Sequence, residues 1–297
     1  MEENNQTMLT KSKASVSWFA RKQTKELMFK LFAYIILLTG SCVFFLPFFW
    51  MISTSLKIDT QIFLFPPKWV PNPVKWQNYY EVLSNTPFLI WLRNTTYVTA
   101  LNVLGVFLSC PLVAYSFARL EWRGRNVCFI ILISTMMLPP QVTMVPVYLL
   151  FKMLGWVETF KPLYIRAFFG FPFYIFLLRQ FFKTIPRELE EAAMIDGCTP
   201  YGIYWKIILP LVKPALATVI IFNFMASWNN FLGPLIYLHH PEMMTLALGL
   251  QYFEAAYEVD WSLLMGAAVM MTAPIIAVFF FFQKYFVRGI VLTGIKG

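Results

Sequence analysis

The stretch Ile185-Pro-Arg-Glu-Leu-Glu-Glu-Ala-Ala-Met-Ile-Asp-Gly-Cys-Thr-Pro-Tyr-Gly-Ile-Tyr-Trp-Lys-Ile-Ile-Leu-Pro210 is a polar interruption in an apolar chain. It reads as helix, turn, helix. Pro186 suits the first turn of a helix, and Glu188, Glu190 and Glu191 complement that helix's positive end. Leu189, Ala192, Ala193 and Asp196 fall on one face at i, i+3, i+4, i+7 spacing. The small Ala pair lets another surface come close. Gly197 tolerates the positive φ that ends a helix. Thr199-Pro200 then reads as N-cap and first position of a second helix, expected to run on through Tyr204 into a membrane span. A short helix rigidly joined to a span is a lever: whatever docks on it moves the span.

The surrounding composition explains why spans are expected. Of 297 residues, 59% are hydrophobic and only 13% are charged, where soluble domains carry roughly 25% charged residues. So few charges cannot cover a water-exposed surface. This excludes a disordered chain, a collagen-like chain and an ordinary soluble enzyme. The apolar excess must face lipid. Cys42, Cys110, Cys128 and Cys198 contain no C-x-x-C pair and lie mostly in apolar runs, so buried thiols are expected rather than a disulfide or zinc framework.

Helices of about 20 apolar residues cross a bilayer. Six runs qualify: Phe29–Ser53, Thr95–Ala118, Val127–Phe151, Pro162–Phe182, Ile207–Leu238 and Trp261–Tyr285. Pro139-Pro140 should break the third, and the fifth should break near Trp228-Asn229-Asn230. Residues 1–27 are polar and lack a cleavage-site pattern, so the first run reads as an uncleaved span. With six spans, the Lys and Arg of the N-terminal segment, of the loop at Arg119, Arg123 and Arg125, of the 183–213 region and of the tail share one side. The loop His239–Asp260 on the other side has no Lys or Arg. By the positive-inside rule both termini are cytoplasmic. The net charge of +9 then follows from topology, and no nucleic acid is needed to explain it.

Spans one, two, three and six hold no ionisable residue in their interiors, so an ion-coupling group of the kind expected in secondary transporters is missing. No G-x-x-x-x-G-K-[ST] phosphate loop is present. The only histidines are His239 and His240, which excludes a multi-His metal site. Neutral polar groups do occur at membrane depth: Gln141 and Thr143 after the Pro pair, and Asn223, Ser227, Trp228, Asn229 and Asn230 in span five. Amides left unpaired in hydrocarbon are costly. They serve either as hydrogen-bonding glue between helices or as the lining of a path for a polar, uncharged solute. Aromatic faces such as Phe224 and Trp228 suit sugar rings on the second reading.

The opening stretch resembles the EAA loop of ABC importer permeases. That pattern is E-A-A, three residues, Gly, nine residues, I-x-L-P. Glu191-Ala192-Ala193, Gly197, Ile207, Leu209 and Pro210 match each fixed position and both spacings. The likeness extends to the carbohydrate-uptake branch, the group similar to the MalG subunit of the maltose importer, from about Leu31 to Gly297. Asn78-Tyr79-Tyr80 and Arg93-Asn94-Thr95 resemble its first external loop and second-span start. Leu138-Pro139-Pro140-Gln141-Val142, Pro146-Val147-Tyr148 and Gly155 resemble its third-span signature. Trp228-Asn229-Asn230-Phe231 with Pro234-Leu235 resembles its fifth-span segment, and Arg288-Gly289 with Gly294-Ile295-Lys296-Gly297 its basic tail.

The resemblance implies an all-α polytopic membrane protein with six transmembrane helices, a type I ABC importer permease in the bacterial plasma membrane. Residues 28–297 would form the transmembrane permease domain, with the coupling loop at about 185–210 and a cytoplasmic tail at about 286–297. It implies a half-pore paired with a second, different permease subunit. Two cytoplasmic ABC ATPase subunits would bind ATP and Mg, so this chain would hold no cofactor and be no enzyme itself. An extracellular or periplasmic solute-binding protein would deliver a sugar, an oligosaccharide. Glu190, Glu191, Ala192, Ala193, Asp196 and Gly197 would form the ATPase-docking element, with Glu191 pairing to a basic ATPase residue; for Glu188 and Glu190 a solvated helix face is the competing reading. The tail near Lys296-Gly297 would reach the ATPase interface. Gln141, Asn223, Trp228, Asn229 and Asn230 would line the translocation path. Closure of the ATPases would move the docked loops and open the pore outward.

Two rivals remain at this stage. A membrane-embedded transferase would need clustered titratable groups, for which Glu254, Glu258 and Asp260 are the candidates. A permease for a polyol or glycerol-phosphate-type solute would, if the solute is phosphorylated, favour a cation facing the cavity, and Arg166 is the plausible one.

Overall fold

A computed structural model gives residues 2–254 and 259–294, with side chains described for 25–254 and 259–283. Glu258, Lys296 and Gly297 lie outside the described residues, as do the side chains of Lys284 and Arg288, so the expectation for the tail is not addressed. The described elements are helical apart from one isolated antiparallel bridge, Glu254 to Val259.

Four helical segments are long and apolar enough to cross a membrane: Lys25–Ser55, Phe88–Arg119, Lys161–Thr184 and Trp261–Gln283. Two bent pairs add Arg125–Met137 with Pro140–Met153, and Pro200–Leu211 with Lys213–Trp228. Counting each pair as one crossing gives six, in the order the apolar runs suggest.

The bends are sharper than the sequence implied. At Leu138-Pro139 the third crossing turns by 100°. Pro139 and Pro140 both lack an N–H, and each disfavours helical backbone in the residue before it. The fifth crossing differs from expectation. The helix that starts at Pro200 does not run straight into it but turns by 76° at Val212, and the membrane helix starts at Lys213 rather than near Ile207. The cause is again proline. Residues Tyr204–Ile208 widen into a π-helical turn just before Pro210, whose missing N–H and bulky ring forbid a regular turn there. Pro214 then takes the start of the next helix. That helix stops at Trp228, and a short helix, Leu232–Tyr237, follows.

The second span is the centre of the bundle and packs against the fourth and fifth. Gly105 makes one of these contacts possible, because a Cβ there would lie 2.9 Å from the Ala167 carbonyl carbon. One core, around Cys110, Tyr115, Phe182, Ile208 and Val219, lies toward the Arg119 end. A second, around Trp91, Trp228, Leu246 and Met271, lies toward the start of the span. The first span packs on the last, and its Phe29, Phe44 and other large apolar side chains stay exposed, as lipid contact requires.

The short motifs near the spans have structural jobs. The Asn78 amide donates to the Ser55 and Lys57 carbonyls at 2.9 Å each, closing the end of the first helix. The Asn94 amide donates to the Glu242 and Met244 carbonyls at 2.8 and 3.0 Å, and Thr95 Oγ1 accepts the Leu246 N–H at 2.7 Å. These bonds strap the 239–260 loop onto the second span. Asp260 is the cap of the last span, accepting from the Leu263 N–H and the Ser262 hydroxyl at 3.1 Å each.

Candidate functional site

The helix after the fourth span covers Glu188–Ile195. It starts two residues after Pro186, so that proline precedes the helix rather than opening its first turn. Its end follows a Schellman pattern. The Cys198 N–H reaches the Ala193 carbonyl at 2.9 Å and the Gly197 N–H reaches Met194 at 3.0 Å, with Gly197 at φ +81°. A Cβ on Gly197 would meet nothing within 4 Å, so glycine is needed for its backbone and not for space. Thr199 Oγ1 accepts the Gly202 N–H at 3.2 Å, and Pro200 opens the next helix.

The faces of this helix differ from the spacing argument. Ala193 is buried, but Leu189, Ala192 and Asp196 are exposed. Glu190 turns inward with Ala193. Its Oε1 lies 3.2 Å from Arg119 Nε, with side-chain exposures of 12% and 3%. The N–H is not aligned for a hydrogen bond, so the contact is a coulombic pair. Arg119 also donates through Nη2 to the carbonyls of Phe182 and Ile185. Glu190 therefore belongs neither to a solvated face nor to the outward docking surface; it ties the helix to the end of the second span. A second tie lies alongside, where Arg179 Nε donates to the Phe117 carbonyl at 3.2 Å and its guanidinium sits 3.7 Å above the Phe129 ring.

What remains outward is Glu188, Glu191, Ala192, Asp196 and Gly197, with Leu189, Met194, Ile195 and Tyr201 exposed among them. Ile195 is 87% exposed. Large apolar side chains and acids thus form one exposed face beside a tightly capped turn.

The second feature is a pair of cavities between the fourth and fifth spans, the larger walled also by the third crossing. One, of about 260 Å³, is lined by Asn102, Arg166, Asn223, Ser227, Asn230 and Tyr237 among others. Its neighbour, of about 730 Å³, is lined by Gln141, Thr143, Arg166, Asn230 and Tyr237 among others. Gln141, Asn223 and Asn230 are thus brought together. Trp228 and Asn229 do not line either cavity. Trp228 is buried, stacks on Phe224 and donates to the Met271 carbonyl at 3.1 Å. Asn229 bonds back to its own helix at Met225, 2.9 Å away. Trp228 is thus packed in the core, and Asn229 is exposed outside both cavities. Asn102, absent from the expected path, joins it: its amide N–H donates to the Leu163 carbonyl at 2.8 Å. An amide in the middle of an otherwise apolar span was the available signal.

A match to a family model settles what these features belong to: residues 102–292 match the model for the binding-protein-dependent transport system inner membrane component. The chain belongs to that family. Among curated relatives, the arabinooligosaccharides transport system permease protein AraQ of Halalkalibacterium halodurans is 34% identical over 228 residues, 76% of this chain and 81% of that protein. The trehalose/maltose transport system permease protein MalG of Thermococcus litoralis is 33% identical over 267 residues, 88% and 94% of the two chains. Among solved structures, a chain of a bacterial ABC transporter involved in import of the acidic polysaccharide alginate superposes with a TM-score of 0.77 at 25% identity, over 87% of this chain and 96% of that one. This permease is accordingly a multi-pass inner-membrane protein with the fold of an ABC importer subunit.

Proposed function

We propose that this permease is one half of the pore of an ATP-driven importer of oligosaccharides. The observation that carries the reading is the Glu188–Ile195 helix, held from inside by Arg119 and presenting Glu191, Ala192, Ile195 and Asp196 outward. A rigid, capped helix between two spans, with an apolar and acidic outer face, suits a cleft on a cytoplasmic ATPase. Two such ATPases would bind ATP and Mg, a second permease would complete the pore, and an external binding protein would deliver the solute. Both termini would be cytoplasmic, which puts the coupling helix on the ATPase side. Relatives named for arabino-oligosaccharides and for trehalose and maltose, with amides lining the cavities, support a carbohydrate.

The test is co-purification and uptake with Glu191→Lys and Gly197→Asp. Both variants should insert in the membrane but lose ATPase subunits on purification and lose uptake of whichever labelled oligosaccharide, neutral or acidic, the unaltered transporter takes up. Retained ATPase association and uptake in both variants would refute the docking role. Failure of the unaltered transporter to take up any oligosaccharide would refute the substrate class.

A further inference from the structure

Arg166 lies five residues inside the fourth span, Lys161–Thr184, and lines both cavities. Arg166 is exposed and near the end of its span; arginine stays charged at any physiological pH, and from there its guanidinium keeps to water or to a partner rather than lipid. No Asp or Glu lines either cavity, and no ion pair involves Arg166 among the described residues. Two neighbours in the smaller cavity are also unfinished. Asn102 is 8% exposed and Asn223 is 4% exposed. The Oδ1 of the first and the Nδ2 of the second have no hydrogen-bond partner. Buried polar atoms are normally paired. A permanent cation, an unpaired acceptor and an unpaired donor thus belong to residues that line one cavity.

From this we infer that the transported carbohydrate is anionic: a saccharide bearing a carboxylate, phosphate or sulfonate passes with its acid against Arg166 and its hydroxyls against Asn102 and Asn223. This rests on the carbohydrate reading above and narrows it. Neutral amides alone would suit any sugar. An unpaired guanidinium selects, because an acid meets it with a charge-assisted bond while a neutral sugar leaves it unpaired.

The experiment uses the complete transporter with its binding protein in proteoliposomes. Uptake of trigalacturonate and of trehalose 6-phosphate is compared with that of fully methyl-esterified trigalacturonate and maltotriose, for the unaltered chain, Arg166→Lys and Arg166→Gln. The expected result is uptake of at least one acidic saccharide, with Arg166→Gln lowering it by about tenfold or more. Arg166→Lys should keep most of it. The two acidic probes separate carboxylate from phosphate recognition. Uptake of the neutral saccharides alone, or acidic uptake indifferent to Arg166→Gln, overturns the inference and leaves the carbohydrate reading standing.

A second measurement does not depend on the binding protein. In the assembled transporter, Ser227→Cys is introduced as the sole cysteine and labelled with anionic and cationic methanethiosulfonates. The anionic reagent should be favoured by about tenfold, and Arg166→Gln should abolish that preference. No preference would mean that the partner permease neutralises Arg166, and the inference falls. Absence of all carbohydrate uptake with the labelling preference intact would instead refute the carbohydrate reading while keeping a cationic path for an anionic solute.

Discussion

Arg119 offers the sharpest test of how the coupling helix is held. It is 9% exposed and serves three acceptors on two elements: the carbonyls of Phe182 and Ile185 and the Glu190 carboxylate. Removing one partner of a buried ion pair costs about 3–5 kcal/mol. Here Glu190 keeps some exposure and the Nε contact is not an aligned hydrogen bond, which lowers the pair's share to about 2 kcal/mol. The two orphaned carbonyls add about 1 kcal/mol each. Arg119→Met should therefore destabilise the Arg119 end of the bundle by about 4 kcal/mol, several hundred-fold in the open population. Glu190→Gln should cost less, about 1–2 kcal/mol, since Arg119 keeps both carbonyls and only the coulombic pair is lost.

The readout is thiol labelling of Cys110, which is fully buried in the adjoining core, in nanodiscs with Cys42, Cys128 and Cys198 replaced by Ala. Arg119→Met should raise the labelling rate far more than Glu190→Gln. With Glu190→Met measured as the second single variant, the double variant Arg119→Met/Glu190→Met should fall short of the summed single effects by about 2 kcal/mol, because it removes the pair together. If the single effects add to within about 0.5 kcal/mol, or if Glu190→Gln is as damaging as Arg119→Met, the two residues are not coupled and the tie is only proximity.

Three further outcomes follow from the geometry. Gly197→Ala should cost about 1–2 kcal/mol in the same labelling assay, purely from the left-handed backbone, and Gly197→Asn should cost less; equal effects of Ala and Asn would point to a steric cause instead. Gly105→Ala should destabilise by about 1–3 kcal/mol through overpacking on Ala167, read as faster Cys110 labelling, and a neutral result would mean the second and fourth spans separate freely. Burial pushes the Glu158 carboxyl up, but hydrogen bonds from His239, and the charges of His239 and His240, hold it below the ordinary carboxylate range. A depressed carboxylate stabilises above its unfolded pKa and loses that contribution as pH falls through the folded value. Hydrogen exchange of the 237–240 segment, corrected for intrinsic rate, should therefore rise as pH falls through the Glu158 titration, and Glu158→Gln should remove that rise; an unchanged profile in that variant would assign the effect elsewhere.

The elements most legible in the sequence are those set by neighbours along the chain. The six apolar runs are long enough to identify without a partner. Gly197 and Thr199 act within one turn, so their capping roles could be read from spacing alone. Pro139-Pro140 announces its own break. The misread residues depend on contacts between distant segments. Nothing near Glu190 signals that Arg119 will lie beneath it, and helical spacing grouped Leu189, Ala192, Ala193 and Asp196 on one face, whereas Ala193 turns inward with Glu190 and the other three stay exposed. The 76° bend at Val212 was hidden for another reason. Pro210 and Pro214 each tolerate a helix start, and only together, with the widened turn before them, do they forbid a straight path. Asn229 and Asn230 differ because the helix ends at Trp228. Beyond that point a 3.6-residue period no longer orders the faces, so adjacent amides go to different places, one to its own helix and one to the cavity.

The same chain path joins the two features. The coupling helix leaves the fourth span at Thr184 and reaches the fifth at Lys213. The cavities are lined by Pro162, Arg166 and Phe171 from the fourth-span region and by Asn223, Asn230 and Tyr237 from the fifth-span region. On the proposed docking, a push on the Glu188–Ile195 helix would therefore act on both walls of the cavity, and unequally. Toward the fourth span the helix is clamped through Arg119, which holds Phe182, Ile185 and Glu190 to the end of the second span. Toward the fifth it passes an elbow at Val212 whose flanking residues, Ile208 and Ala215, are packed in the same core. On the proposed docking, a load on Glu191 and Ile195 would turn the fifth span at its elbow against the second and fourth. That rotation would move Asn223 and Asn230 relative to Arg166, so the spacing of cation and amides changes with the state of the coupling helix. A solute held by both would be gripped in one state and released in the other, which requires differential affinity for the two states and nothing more.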